Sequence, residues 1–192
     1  MKIFVFVILF SLFSIFPLFS QQLAFGMKFT GLSIHPGGAR HPDIMPLKLD
    51  NNGVYVITPG VRLNFEYFLF RNIISVKIEQ GLYRDCAFQS GGFTHIGLRS
   101  RIFQIGRHSL NGGIGPTFLY RRSWYRVDGY RGNDLFFRGS PEDEWQWRFL
   151  WYGGDLEYNF RIAGNTELSV SLVPFIPILV HIGVRIIINE YK

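Results

Sequence analysis

Cys86 is the only cysteine in the 192 residues, so no disulfide can staple the chain internally. Runs of basic residues are also missing. Lys and Arg number 20 against 14 Asp and Glu, a net charge of +6, yet the cations are scattered rather than clustered as nucleic-acid binding requires. Alanine is scarce and, beyond the N-terminus, no apolar run is long enough to cross a bilayer as a helix. His35, His41 and Asp43 share a Pro-rich loop but lack metal-ligand spacing, so no metal is expected. The glycines of residues 112–115 lack the helix and lysine of a phosphate-cradling loop, and no nucleophile elbow or helical zinc motif is present. No cofactor and no nucleic-acid partner are expected, and the length fits one domain.

What is abundant is Phe, Tyr and Gly, a composition of strands and turns. Lys2 followed by the apolar run 3–19 reads as a signal peptide, giving residues 1–20 as a cleaved leader and 21–192 as the mature domain. A retained membrane anchor is the alternative. Within residues 153–162, Asp155, Glu157, Asn159 and Arg161 alternate with Leu156, Tyr158, Phe160 and Ile162. On a strand this makes one face ionic and the other apolar. The pattern recurs over 23–34, 54–70, 73–83, 93–105, 108–124, 145–162, 167–173 and 178–188. Tight turns at Arg71–Asn72, Gly106–Arg107 and 163–165 alternate with long loops at 35–53, 84–92 and 125–144. Short turns at one end, long loops at the other and aromatics near strand ends predict an all-β fold, an eight-stranded antiparallel transmembrane β-barrel of the bacterial outer membrane. A monomer is expected.

The ionic faces carry Lys28, Arg62, Lys77, Arg99, Arg101, Arg121, Arg161 and Arg185 with Glu66, Glu79, Asp155, Glu157 and Glu167. Such charges in a narrow lumen must pair, which predicts a plugged interior and no open pore. Gly81, Gly97, Gly113, Gly115, Gly153 and Gly183 lie on the same faces. They either make room for neighbouring side chains or form a slot for an acyl chain. Pro59, Pro116, Pro174 and Pro177 lie in or beside strands, where they mark bulges or weaken lateral pairing.

At the long-loop end, His35 closes the first strand while Asp85 and Cys86 close the third. Acyl transfer needs a general base, a group that orients it and an activated nucleophile or hydroxyl. His35 can be the base, Asp85 its partner, and Cys86 the group that takes or positions the acyl chain. The other reading is three loop residues with no shared role.

Leu32–Ser33–Ile34–His35, Tyr83–Arg84–Asp85–Cys86, His108 with its Gly-rich alternation to Arg121–Arg122–Ser123–Trp124, and the corner Val173–Pro174 together resemble the lipid A palmitoyltransferase (PagP-type) family of outer-membrane enzymes. The resemblance implies transfer of a palmitoyl-type chain from a phospholipid to lipid A, the chain lying inside the barrel and reached through proline-flanked gaps. His35, Asp85 and Cys86 take the places of the family's His, Asp and Ser. Three features differ: Cys86 for Ser, a charged lumen, and no amphipathic helix before the first strand. The alternatives are a non-catalytic structural or adhesion barrel, and a lipid A deacylase using Ser109, which lies at the wrong end. Phospholipid and lipid A are the partners under the enzymatic readings.

Overall fold

The structure, a computed structural model, describes residues 22–132, 136–173 and 177–189. The expected leader 1–20 and Pro174 lie outside the described residues. Eight strands form: β1 (Gln22–Ile34), β2 (Tyr55–Phe70), β3 (Ile74–Arg84), β4 (Ser90–Ile105), β5 (His108–Arg122), β6 (Trp145–Ala163), β7 (Thr166–Val173) and β8 (Ile178–Asn189). Each pairs antiparallel with the next, and β1 closes on β8 from Gln22↔Asn189 to Ile34↔Ile178. Closure removes the edges that an open sheet would expose. At the β2–β3 turn Arg71 and Asn72 have φ of 40° and 59°, the left-handed pair that suits a tight hairpin.

The barrel is inside-out relative to a soluble one. Phe29 is 62% exposed, Ile114 60% and Ile182 54%, while Lys28 is 0% and Arg62 1% exposed. An apolar outer wall around a polar interior is the build of an outer-membrane barrel, whose strands turn their apolar face to lipid. No described helix is long and apolar enough to cross a membrane, and the strands are the crossing elements.

Charges fill the middle of the lumen in matched pairs. Lys77 reaches Asp155 at 2.6 Å and Glu157 at 3.0 Å, and Lys28 also pairs with Glu157. Arg62 pairs with Glu79, and with Asp155 at 3.2 Å. Arg99 bridges Glu66 (2.6 Å) and Glu157 (2.5 Å), and Arg185 bridges Glu66 (2.7 Å) and Glu167 (2.6 Å). Each charge is thereby compensated in a setting where an unpaired one costs several kcal/mol.

The lumenal glycines admit these neighbours. The ring of Phe93 fills the space beside Gly81, that of His95 the space beside Gly97, and Thr117 the space beside Gly153. A Cβ on Gly115 would meet the backbone of Ile96, and one on Gly183 that of Met27, while Gly113 stands in ordinary contact with Arg99. Pro59 and Pro116 sit where the β1–β2 and β5–β6 ladders shift register, so each falls at an irregularity rather than in regular pairing.

Candidate active site

β1 supplies two groups through an irregularity. Lys28 and Thr30 point inward; the pairing of β1 with both neighbours then shifts between Thr30 and Leu32, and Ser33 is the next fully buried residue. His35 follows two residues later, on the side Ser33 occupies. Its backbone N–H donates to the Val54 carbonyl at 2.7 Å, which ties it to the loop before β2.

The turn after β3 supplies the third group. Asp85 N–H donates to the Gln89 carbonyl (2.8 Å), Phe88 N–H donates to the Asp85 carbonyl (2.9 Å), and Phe88 adopts φ of 59° to close the loop. This fixes Cys86 with its sulfur 3.1 Å from His35 Nε2. Ser33 Oγ lies 3.1 Å from the same nitrogen and 3.6 Å from the sulfur. Ser33 and Cys86, 53 positions apart in the chain, thus share a single imidazole nitrogen.

Asp85 lies beside this cluster but does not hydrogen-bond to His35. Its Oδ2 accepts from Trp124 Nε1 at 2.5 Å and its Oδ1 from the Gln89 N–H at 2.8 Å. The Arg121 guanidinium lies 3.8 Å from the centre of a Trp124 ring, and Arg121 Nε donates to Gln146 at 3.0 Å. Arg121, Trp124 and Asp85 therefore form one connected support behind the Cys86 turn. The acid whose charge acts on His35 is Asp50, which accepts from the backbone N–H groups of Asn52, Val54 and Tyr55.

Burial lowers the pKa of His35 below its usual 6.5, with Asp50 opposing. It raises the Cys86 thiol to about 11, with the Ser33 contact opposing and the Asp85 charge adding to the rise. Burial also raises the Asp85 carboxyl, against the Trp124 hydrogen bond. Both shifts favour the neutral forms at neutral pH, an imidazole beside a thiol.

His35, Asp85 and Cys86 all line a cavity of about 640 Å³ at the long-loop mouth. Leu119, Leu150 and Leu179 wall it from the strands, and Met45, Tyr130 and Phe137 from the loops. Ile44, Met45, Val56 and Trp124 pack with Cys86 in an apolar cluster that roofs the mouth. Thr58 on the cavity wall is fully buried, and its hydroxyl has no hydrogen-bond partner among the described residues. None of the six lumenal glycines lines this cavity. Ser109 lies towards the other end of the barrel, 3.5 Å from Asn111, away from the cluster. Among the described residues no group of three or more His, Cys, Asp or Glu is placed to hold a metal.

Among the described residues, the β6–β7 ladder stops short of the top of β6. β6 pairs with β7 only from Leu156↔Leu172 to Ala163↔Thr166. Above Leu156, the described partners of β6 on that side reduce to the bridge between Arg138 and Trp147. Val173 and Pro177 also line the cavity.

Sequence reasoning missed Ser33, Thr58 and the Trp124–Asp85 bond. The available signal for Ser33 was its spacing of two from His35, which shares a face on any strand. No such signal existed for Thr58, whose importance depends on the cavity beside it.

No protein-family model matches the chain, and no curated protein matches it. Among solved structures it is similar to Ail, the attachment invasion locus protein of Yersinia pestis, in complex with the heparin analogue sucrose octasulfate. That match has 13% identity and a TM-score of 0.44, covering 88% of this chain and 99% of that one. It is also similar to Neisserial surface protein A, NspA, at 9% identity and a TM-score of 0.45, covering 88% of this chain and 96% of that one. At these identities the likeness is one of fold alone.

Proposed function

We propose that this barrel catalyses acyl transfer between lipids of the bacterial outer membrane, moving a palmitoyl-type chain from a phospholipid to lipid A. The observation that carries the reading is the 3.1 Å contact between His35 Nε2 and Cys86 Sγ on the wall of an apolar cavity. A general base must stand within about 2.6–3.2 Å, heavy atom to heavy atom, of the group whose proton it takes, and the 3.1 Å separation supports His35 in that role. The cavity supplies what an acyl chain needs, a volume walled mostly by apolar side chains. It lies at the long-loop end, which faces outward in barrels of this type.

In this reading the donor's chain occupies the mouth cavity, rather than running along the lumenal glycines. Its ester then lies against Cys86. His35 takes the proton from the attacking group and returns it to the departing one. Asp85 is a positioning residue: through Trp124 and Gln89 it holds the turn that presents Cys86. Thr58 offers the unpaired hydroxyl to a polar atom of the bound lipid. The deacylase reading is weaker, because Ser109 lies away from both the base and the cavity.

One observation favours a second reading, a non-catalytic structural or adhesion barrel: the ion pairs that fill the lumen below the mouth serve rigidity and need no substrate. Reconstitution separates the two. Purified barrel in vesicles holding a phospholipid with a labelled chain and unlabelled lipid A should move label to lipid A and release lysophospholipid. Label confined to the phospholipid, from a barrel shown to be folded, would favour the non-catalytic reading.

A further inference from the structure

Three side chains meet at the mouth, and only two of them face the cavity. His35 and Cys86 line it, whereas Ser33 is fully buried behind them and does not. An incoming ester therefore meets sulfur, not the serine oxygen. Resting on the acyl-transfer reading, we infer that Cys86 carries the chain as a covalent thioester between donor and acceptor, and that Ser33 positions the imidazole. The unpaired Thr58 hydroxyl on the same wall is the polar group left to receive a substrate oxygen.

The step balances as follows. The Cys86 S–H proton passes to His35 Nε2 as the sulfur bonds to the ester carbonyl carbon of an O-acyl phospholipid. The carbon–oxygen ester bond breaks, His35 returns the proton to the departing glycerol oxygen, and lysophospholipid leaves. A hydroxyl of the acceptor lipid then gives its proton to His35 and attacks the thioester. The carbon–sulfur bond breaks, and the proton returns to the thiolate. No redox partner or cofactor is required, since each half-reaction exchanges one acyl bond for another.

The resting chemistry is consistent with this order. Burial keeps the thiol protonated and the imidazole neutral, so the thiolate is generated only as the ester is engaged. Ser33 Oγ contacts both the nitrogen and the sulfur, at 3.1 and 3.6 Å. Its place is that of a group which fixes the ring rather than one that reacts.

The test is the intact mass of the full barrel after incubation in dipalmitoyl phosphatidylcholine vesicles without an acceptor lipid. A mass gain of one palmitoyl group, removed by neutral hydroxylamine and absent from Cys86→Ala, is expected. Ser33→Ala should still form the adduct, several-fold more slowly and with its pH profile displaced, because the hydroxyl touches the imidazole; Ser33→Thr should restore the rate. Heat-modifiable gel migration verifies that each variant is folded. Lysophospholipid released by Cys86→Ala at the wild-type rate would overturn the thioester while leaving acyl transfer in place, as would a hydroxylamine-resistant adduct on Ser33. Lysophospholipid released by folded wild-type protein only once lipid A is added, with no adduct, would overturn the thioester alone; none released even with lipid A present would overturn both.

Discussion

At the scale of the residue, the account rests on one nitrogen. His35 Nε2 lies 3.1 Å from both Cys86 Sγ and Ser33 Oγ, so loss of the ring removes the proton acceptor outright. His35→Ala should lower the transfer rate by about 10²–10⁴-fold, the usual worth of a positioned base, with folding preserved. The pH dependence follows from the same group. Burial places the His35 pKa below 6.5, against Asp50 on the loop before β2, while Cys86 and Asp85 face it from the turn after β3. In the proposed acyl transfer the neutral ring is the active form. Rates should therefore be flat through neutrality and fall as the pH drops below 6.5, which a rate profile in vesicles will show. His35 and Cys86 were legible in the sequence as strand-tip residues, and the fold brings them into contact. The partner of Asp85 was not legible. Spacing placed the carboxylate near the base but could not reveal that Trp124, 39 positions along the chain, takes it up.

Among the elements, the strands were the most legible part of the molecule. A period of two written across every segment, with Asn or Gly at the tight turns, leaves little freedom for another fold. Register was the part hidden from view. The shift at Gly31 passes the inward face from Thr30 to Ser33, and no property of the isolated glycine announces it. Nor could periodicity show that β6 continues well past its last described pair with β7. The glycines make a prediction at this scale. A Cβ at Gly31 meets nothing within 4 Å, whereas one at Gly115 meets the backbone of Ile96. Gly31→Ala should leave stability unchanged, while Gly115→Ala should cost ~1–3 kcal/mol, as overpacking does when the neighbour cannot move aside. Urea titration of the two variants in lipid vesicles will distinguish them.

The whole molecule is a rigid ionic plug beneath an apolar mouth, and the two halves answer different needs. Glu157 is shared by Lys28, Lys77 and Arg99. Glu157→Gln leaves those cations undercompensated in a buried setting and should destabilise the barrel by ~3–5 kcal/mol. The same network fills the lumen with paired side chains, so planar bilayers should record no single-channel steps from the wild type. Pairing of lumenal charges could be read from the sequence because any narrow barrel demands it. The cavity above them could not, since it arises from loops that fold back over the mouth and bring Met45, Trp124 and Tyr130 against Cys86. Mass spectrometry of lipid A from bacteria producing this barrel, beside cells producing His35→Ala, tests the central claim most directly. Acyl transfer predicts one added chain with the wild type and none with the variant. Identical lipid A from the two strains, with both barrels inserted and heat-modifiable, would contradict it.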